Sequence, residues 1–205
     1  MRARLGAAAL AAAGVLFLLY PAVRPWTDES TERGARTAMA SGAWVASHLF
    51  AMIGFILVPL GVLAIAATLR RPPALAAAVT MWIGAGLTLP YYGAEDFGLH
   101  AIAGQPGELL PAVDAVRFGA VAATTFGIGL LALGVGAVLA AVAVVRSGAL
   151  SRSAAIAFAL GFALYLPQFF TPAPARIAHG VLVAAGCLGL AWGLWRAPHT
   201  TAPAG

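Results

Sequence analysis

Long apolar runs alternate with short polar breaks along the whole chain. Six of the runs, at 5–23, 43–69, 74–103, 118–145, 153–170 and 177–195, approach or exceed the length that carries a helix across a hydrocarbon core, which is about 20 residues for about 30 Å. The fourth holds no charged residue, and the first and fifth are short but sufficient. The pattern predicts an all-α fold: an integral membrane bundle of six transmembrane helices in up-down order. It forms a single transmembrane domain over residues 1–205, with no internal repeat and no separate soluble part.

The first run follows Met1-Arg-Ala-Arg, a layout shared with secretory signals. It is long for a signal core, and Tyr20-Pro-Ala-Val-Arg24 offers no small-x-small cleavage site, so it reads as a retained helix, with a cleaved signal as the alternative. Between the runs, residues 26–42 read as an amphipathic helix with Thr27 as N-cap and Asp28 and Glu29 in its first turn. Residues 104–116, with Gly104, Pro106, Gly107 and Pro111, read as an irregular loop. The breaks at Arg70-Arg71-Pro72-Pro73 and 146–152 are short enough to join antiparallel neighbours. Pro59, Pro90 and Pro167 are expected to kink the spans that hold them.

Composition agrees with this picture. Hydrophobic residues make up 61% of the chain and charged residues 9%, against about 25% charged in a soluble domain. There are too few charges to cover a core with a polar surface. The net charge of +5 comes from arginines scattered singly or in pairs, with no basic stripe, which excludes nucleic acid as a partner. All twelve basic residues are arginine, a bias that points to a high-GC bacterium. Cys187 is the only cysteine and sits in an apolar run, so it reads as a small buried hydrophobe.

Placing both termini in the cytoplasm sorts the charges. Arg2, Arg4, Arg70, Arg71, Arg146, Arg152 and Arg196 then fall inside, and Arg24, Arg33, Arg36, Arg117 and Arg176 fall outside. The inside excess is the one the positive-inside rule asks for, and all seven acids fall outside. The expected location is therefore a bacterial cytoplasmic membrane, crossed several times. Tyr20, Trp26, Trp44, Tyr91, Tyr92 and Tyr165 lie near outer ends and Trp192 and Trp195 near the inner end, as an aromatic belt would. Trp82 lies deeper and reads as a packing residue. Small residues at helical spacing (Ala123 and Gly127, Ala132 and Gly136, Gly189 and Gly193) allow close helix approach. They serve packing within one bundle or, alternatively, a homo-oligomer face.

Ionisable groups in membrane segments are costly and mark candidate sites. Three histidines lie toward the outer ends of different helices: His48, His100 and His179. A rise of about 1.5 Å per residue sets His48 roughly 32 Å, Asp96 roughly 33 Å and His179 roughly 24 Å above the inner ends of their helices. If the third helix runs on past Pro90, then Tyr92, Asp96 and His100 share one face, with Tyr91 and Glu95 on the next.

The leading functional expectation is a divalent, zinc-like metal held by His48, Asp96, His100 and His179. Tyr92, Glu95, Arg117, Gln168 and Arg176 would support those ligands or touch a substrate. An open coordination position would make this a metal-dependent membrane enzyme. A b-type haem between two histidines is the second reading. The third is a structural or partner-binding membrane subunit without cofactor, in which Asp96 pairs with Arg117 or Arg176. No phosphate loop and no GxSxG elbow is present, and the span midplanes carry too few polar groups for a carrier.

Overall fold

The structure is a computed structural model that describes residues 2–197; His199, a tail residue in the sequence, lies outside the described residues. Those residues form helices and connecting turns, with no strand among them. The helices are α1 (Arg2–Val23), α2 (Glu32–Met39), α3 (Gly42–Leu69), α4 (Pro72–Gly93), α5 (Leu99–Ala103), α6 (Leu110–Phe118), α7 (Ala120–Ser147), α8 (Arg152–Ala163) and α9 (Ala173–Arg196). A π-helical turn, Ala94–Gly98, joins α4 to α5, and a 3-10 turn, Pro167–Phe170, precedes α9.

Five helical stretches are long and apolar enough to cross a membrane: Ala3–Val23, Gly42–Leu69, Pro72–Ala103, Ala120–Ser147 and Ala173–Arg196. The fifth expected span is the exception. Its regular helix, α8, ends at Ala163 after 12 residues, about 18 Å of rise, and the chain continues through a turn into Pro167–Phe170. Pro167 cannot donate the amide that would carry the helix onward. The third span does run on past Pro90, through the π turn to Ala103.

The long helices and α8 pack in a closed ring. α1 meets α3, α3 meets α4, α4 meets α7, α7 meets α8, α8 meets α9, and α9 returns to α1. Where two helices cross without a hydrophobic force between them, close backbone approach supplies the attraction. At the α4–α7 crossing a methyl group on Gly84 would sit 2.8 Å from the Gly129 carbonyl oxygen, and one on Gly136 would strike Met81. Gly189 faces Ala154 and Gly193 faces Leu150 in the same way, so these small residues pack within the chain. Cys187 is buried, as the sequence suggested.

The axis of the ring is filled at one level by aromatic side chains from successive helices. Phe17 of α1 packs edge-on against Phe55 of α3 at 5.0 Å and against Phe162 of α8 at 5.6 Å. Phe55 in turn meets Tyr92 of α4 at 5.3 Å, and Tyr92 meets Phe126 of α7 at 6.0 Å. These rings explain two departures from the sequence reading. Tyr20, Trp44, Tyr92 and Tyr165 are buried inside the bundle and do not form a belt in lipid, whereas Trp192 and Trp195 do face outward. Trp82 is 71% exposed and packs on no neighbour, because α4 turns its small residues inward. Position along a helix is legible in sequence; rotation about its axis is less so.

A second, smaller cluster lies at the end of the ring that holds all the acidic residues. The amphipathic helix expected at 26–42 is present but starts later: Thr31 caps α2, its hydroxyl accepting from the Gly34 amide. The supposed loop at 104–116 contains α6. Its N-terminus is capped from a distance, by Glu32, whose carboxylate accepts from the amides of Leu109 (2.9 Å) and Leu110 (3.2 Å). Arg36, one turn further along α2, donates to the carbonyls of Ala103, Gln105 and Gly107. Two side chains of α2 thus fold the Gly- and Pro-rich segment that precedes α6.

Two predictions follow from this packing. Gly84→Leu should lower stability by about 2 kcal/mol through overpacking, while Gly86→Leu, where a Cβ meets nothing within 4 Å, should leave it unchanged. Thermal unfolding in detergent compares them, and equal melting temperatures would refute the close crossing. The amide hydrogen bond from Leu109, then the hydrogen bond from Arg36, the amide of Leu110 and the Arg36 charge, hold the Glu32 carboxyl below its usual 4.5. A depressed folded-state value means the clamp is intact above 4.5 and is lost as pH falls through that lower value. Hydrogen-exchange protection of the Leu109 and Leu110 amides should therefore drop on acidification in the native chain and be low and flat in Glu32→Ala.

Candidate functional site

The π turn sets the geometry of the acidic end. Its wider hydrogen-bond spacing directs the Leu99 amide to the Ala94 carbonyl, which frees a carbonyl that an α-helix would have used. The Glu95 carbonyl takes its bond from the indole nitrogen of Trp44 instead, at 3.1 Å. With the extra residue in the turn, Glu95 and Asp96 are both buried although they are adjacent in sequence. Gly93 and Gly98, which flank the turn, have no neighbouring backbone close by.

Glu95 is the acid that finds an arginine. Arg117, from α6, grips it with two bonds, Nε to Oε1 at 2.6 Å and Nη2 to Oε2 at 3.1 Å. The same Nη2 donates to Glu29 at 2.8 Å, and Glu29 pairs through its other oxygen with Arg24 at 2.7 Å. Arg24, Glu29, Arg117 and Glu95 thus form one alternating chain of charge linking the end of α1, the following loop, α6 and the π turn. All four side chains are at most 20% exposed. Burial disfavours the Arg117 cation, but the Glu95 and Glu29 carboxylates outweigh that and raise its pKa.

Asp96 pairs with neither Arg117 nor Arg176. It is fully buried, and its two carboxylate oxygens have no hydrogen-bond partner among the described residues. Geometry explains why the neighbouring acid takes the arginine: the π turn points Glu95, not Asp96, toward α6.

The histidines are held apart by different backbone carbonyls. His48 Nδ1 lies 2.8 Å from the Trp44 carbonyl oxygen, one turn back in α3. His100 Nδ1 lies 2.7 Å from the carbonyl of Met39, at the end of α2. His179 Nε2 lies 2.7 Å from the carbonyl of Gly161, near the end of α8. A carbonyl only accepts, so each of these ring nitrogens carries the proton and donates. His100 and His179 therefore cap the last turns of helices other than their own, satisfying carbonyls that a helix end leaves bare. Among the described residues no group of three or more His, Cys, Asp and Glu side chains is placed to hold a metal ion. The helices do not gather His48, Asp96, His100 and His179 into one centre.

What they gather is a cavity of about 580 Å³ beside the charge chain. Its floor is aromatic and includes Tyr20, Tyr92 and Phe126, with His48 among them. Its upper wall carries Arg24, Glu29, Glu95, Arg117 and Arg176. The His48 ring stacks obliquely on Trp44 at 4.2 Å and meets Tyr20 edge-on at 5.5 Å, so it belongs to the floor's packing. Five of the nine site residues expected from sequence line this space: His48, Tyr92, Glu95, Arg117 and Arg176. Gln168 supports it from behind, its Oε1 accepting from Arg176 Nε at 3.0 Å. Arg24, Glu29 and Trp26 were not singled out beforehand. They belong to a loop whose path depends on contacts with α6 and α9, which no local pattern reveals.

Arg176 differs from the other two arginines. It is buried, yet no carboxylate pairs with it among the described residues. Its guanidinium lies 4.9 Å from the Phe169 ring and 5.0 Å from the Trp26 ring. Cation–π contacts of this kind offset part of the cost of taking the charge out of water, but its terminal nitrogens have no hydrogen-bond partner among the described residues. Three arginines line the cavity against two glutamates, a surplus of one positive charge.

No protein-family model, curated protein or solved structure matches this chain.

Removing one member of a buried ion pair strands the other, at about 3 kcal/mol. Glu95→Gln and Arg117→Gln should each lower stability by about that amount, and the double variant should cost less than their sum by about 1 kcal/mol or more. Chemical unfolding of the four proteins in detergent measures the coupling. Strict additivity would mean that the bidentate pair contributes nothing.

Proposed function

We propose that this chain is a six-span membrane protein with both ends in the cytoplasm, whose outer cavity binds the acidic group of a small ligand. The fifth span is supplied by α8 together with the turn and 3-10 segment after it. α8 fills the place between α7 and α9 in the ring, and it shows Ile156, Leu160 and Leu164, one turn apart, to the outside. Irregular backbone at membrane depth is tolerated where it lines a cavity, and Leu166, Phe169 and Phe170 do line this one.

The orientation rests on charge. Arg4, Arg70, Arg71, Arg146, Arg152 and Arg196 occupy the end of the ring away from the cavity, and the acids occupy the cavity end. That is the direction of the positive-inside rule. A chain whose basic residues are all arginine supports a bacterial cytoplasmic membrane as its setting.

One observation carries the ligand class: Arg176 is buried, aromatic-bound and without a carboxylate partner among the described residues, in a cavity that already holds two ion-paired arginines. A buried charge is normally paired or neutralised. Arginine offers a planar fork suited to carboxylate or phosphate, and a phosphate or carboxylate in the cavity would supply the missing counter-charge. The fixed aromatic floor would take whatever apolar part follows.

Hexyl phosphate is a suitable probe, with hexanol as its neutral counterpart. Titrated against the detergent-purified protein, hexyl phosphate should quench or shift tryptophan fluorescence through Trp26 and Trp44, and hexanol should bind more weakly. A charge-assisted bond is worth about 1.5–3 kcal/mol, so Arg176→Gln should weaken hexyl phosphate about tenfold or more. Equal binding of the two probes, or an affinity indifferent to Arg176, would sink the reading.

A further inference from the structure

Resting on the anion-binding reading above, we infer that the cavity's ligand is a membrane lipid with an acidic head group, which reaches Arg176 sideways from the bilayer through a gap between α7 and the Leu166–Phe170 corner. The α7 wall is closed at Gly134 and leaves room at Gly127. At Gly134 of α7 a Cβ would lie 3.3 Å from the Ala163 backbone, so α7 and α8 touch there. Two turns further along α7, at Gly127, a Cβ would meet nothing within 4 Å, and Gly127 lines the cavity. Between those two levels α8 has stopped being helical, at Ala163, and the corner that follows meets α7 through Phe169, whose ring lies 5.7 Å from that of Phe126. The gap is therefore built from two features, a helix that ends early and a facing helix that presents Ala123 and Gly127 rather than larger side chains.

The loop after α1 partly covers the cavity from the water side. Trp26 lies over the cavity between Arg24 (4.8 Å) and Arg176 (5.0 Å), and its indole nitrogen is fixed to the Pro21 carbonyl at 3.0 Å. On the lateral side the lining residues Phe118 and Phe170 are 74% and 86% exposed. Large apolar side chains exposed in this way suit acyl chains. A lipid whose acyl chains lie along Gly127 would bring its phosphate to the level of the arginines. A free acid of the aqueous phase would make the same polar contacts but would have no use for the apolar gap.

The full chain is tested in lipid nanodiscs, in a Trp82→Phe, Trp192→Phe, Trp195→Phe background. That background leaves Trp26 and Trp44, the two tryptophans beside the arginines. The nanodiscs contain either phosphatidylglycerol or phosphatidylcholine, brominated near the start of the acyl chains at equal bromine content. Bromine quenches indole fluorescence at short range. The expected result is stronger quenching by the brominated phosphatidylglycerol. The excess should be lost in Arg176→Gln and in Gly127→Leu, which fills the gap, and kept in Gly86→Leu, which adds the same side chain on an exposed face of α4. Matched circular dichroism and melting temperatures show that each variant folds.

Equal quenching by the two lipids in the parent protein overturns the inference. If hexyl phosphate added from water still binds in an Arg176-dependent manner, the anion site stands and only the lipid as ligand is refuted. If hexyl phosphate also fails to bind, both fall together.

Discussion

Four alternating charges hold together the end of this molecule that contains the cavity. Six apolar helices in a ring have few polar means of fixing their loops, and the small apolar cluster of Leu99, Leu109 and Val113 with α2 leaves the segment at 24–31 without an anchor of its own. The chain Arg24, Glu29, Arg117, Glu95 ties that segment to α6 and the π turn at hydrogen-bond distances of 2.6–3.1 Å. Each member is shielded from water by tryptophan or by its partner, with Arg24 lying 4.8 Å from Trp26 and 4.9 Å from Trp44. Pairing in a place of reduced dielectric is worth more than at a wet surface, provided that no member is left alone. The cavity exists because this framework spans it, where apolar packing would have let the helices close.

Much of the fold was legible in the sequence, and for a simple reason. Hydrocarbon demands that backbone polar groups be satisfied within each helix, so the number, length and level of apolar runs follow directly from composition. Five of the six runs became helices long enough to cross. The helix continues past Pro90, as the apolar run to Ala103 implies, but it does so through a π turn. A π turn leaves no residue signature of its own, and it exchanged the roles of Glu95 and Asp96. α6 was hidden for a different reason: its N-terminal cap is Glu32, far away in sequence, and a loop rich in glycine and proline gives no hint that a distant carboxylate will order it.

The histidines show where level alone misleads. Three of them at similar heights on three helices suggested convergence on a metal. Each instead donates to a backbone carbonyl, and for His100 and His179 those carbonyls lie at helix ends that would otherwise be bare. A helix that stops short inside the fold creates such a need, and a histidine ring N–H meets it. The same early stop of α8 that calls for His179 also opens the wall beside Gly127. The polar residue and the gap have one structural cause.

That shared cause bears on why the ring is left incomplete. A longer α8, continued through 164–170, would bury its own carbonyls and bring a helix face toward α7, as it does at Gly134. The chain places Pro167 there, breaks the helix, and must then cap it with His179 and brace the corner with the Gln168–Arg176 bond. Each step costs regular helical hydrogen bonds, although Tyr165 and Phe169 of the same segment still pack against the core. The arrangement has a use only if the space is occupied, and the charge left over on Arg176 states what kind of occupant would complete it. The gap at Gly127 and Arg176, which has no carboxylate partner among the described residues, line the same cavity. A ligand with an acidic head and an apolar tail satisfies both at once.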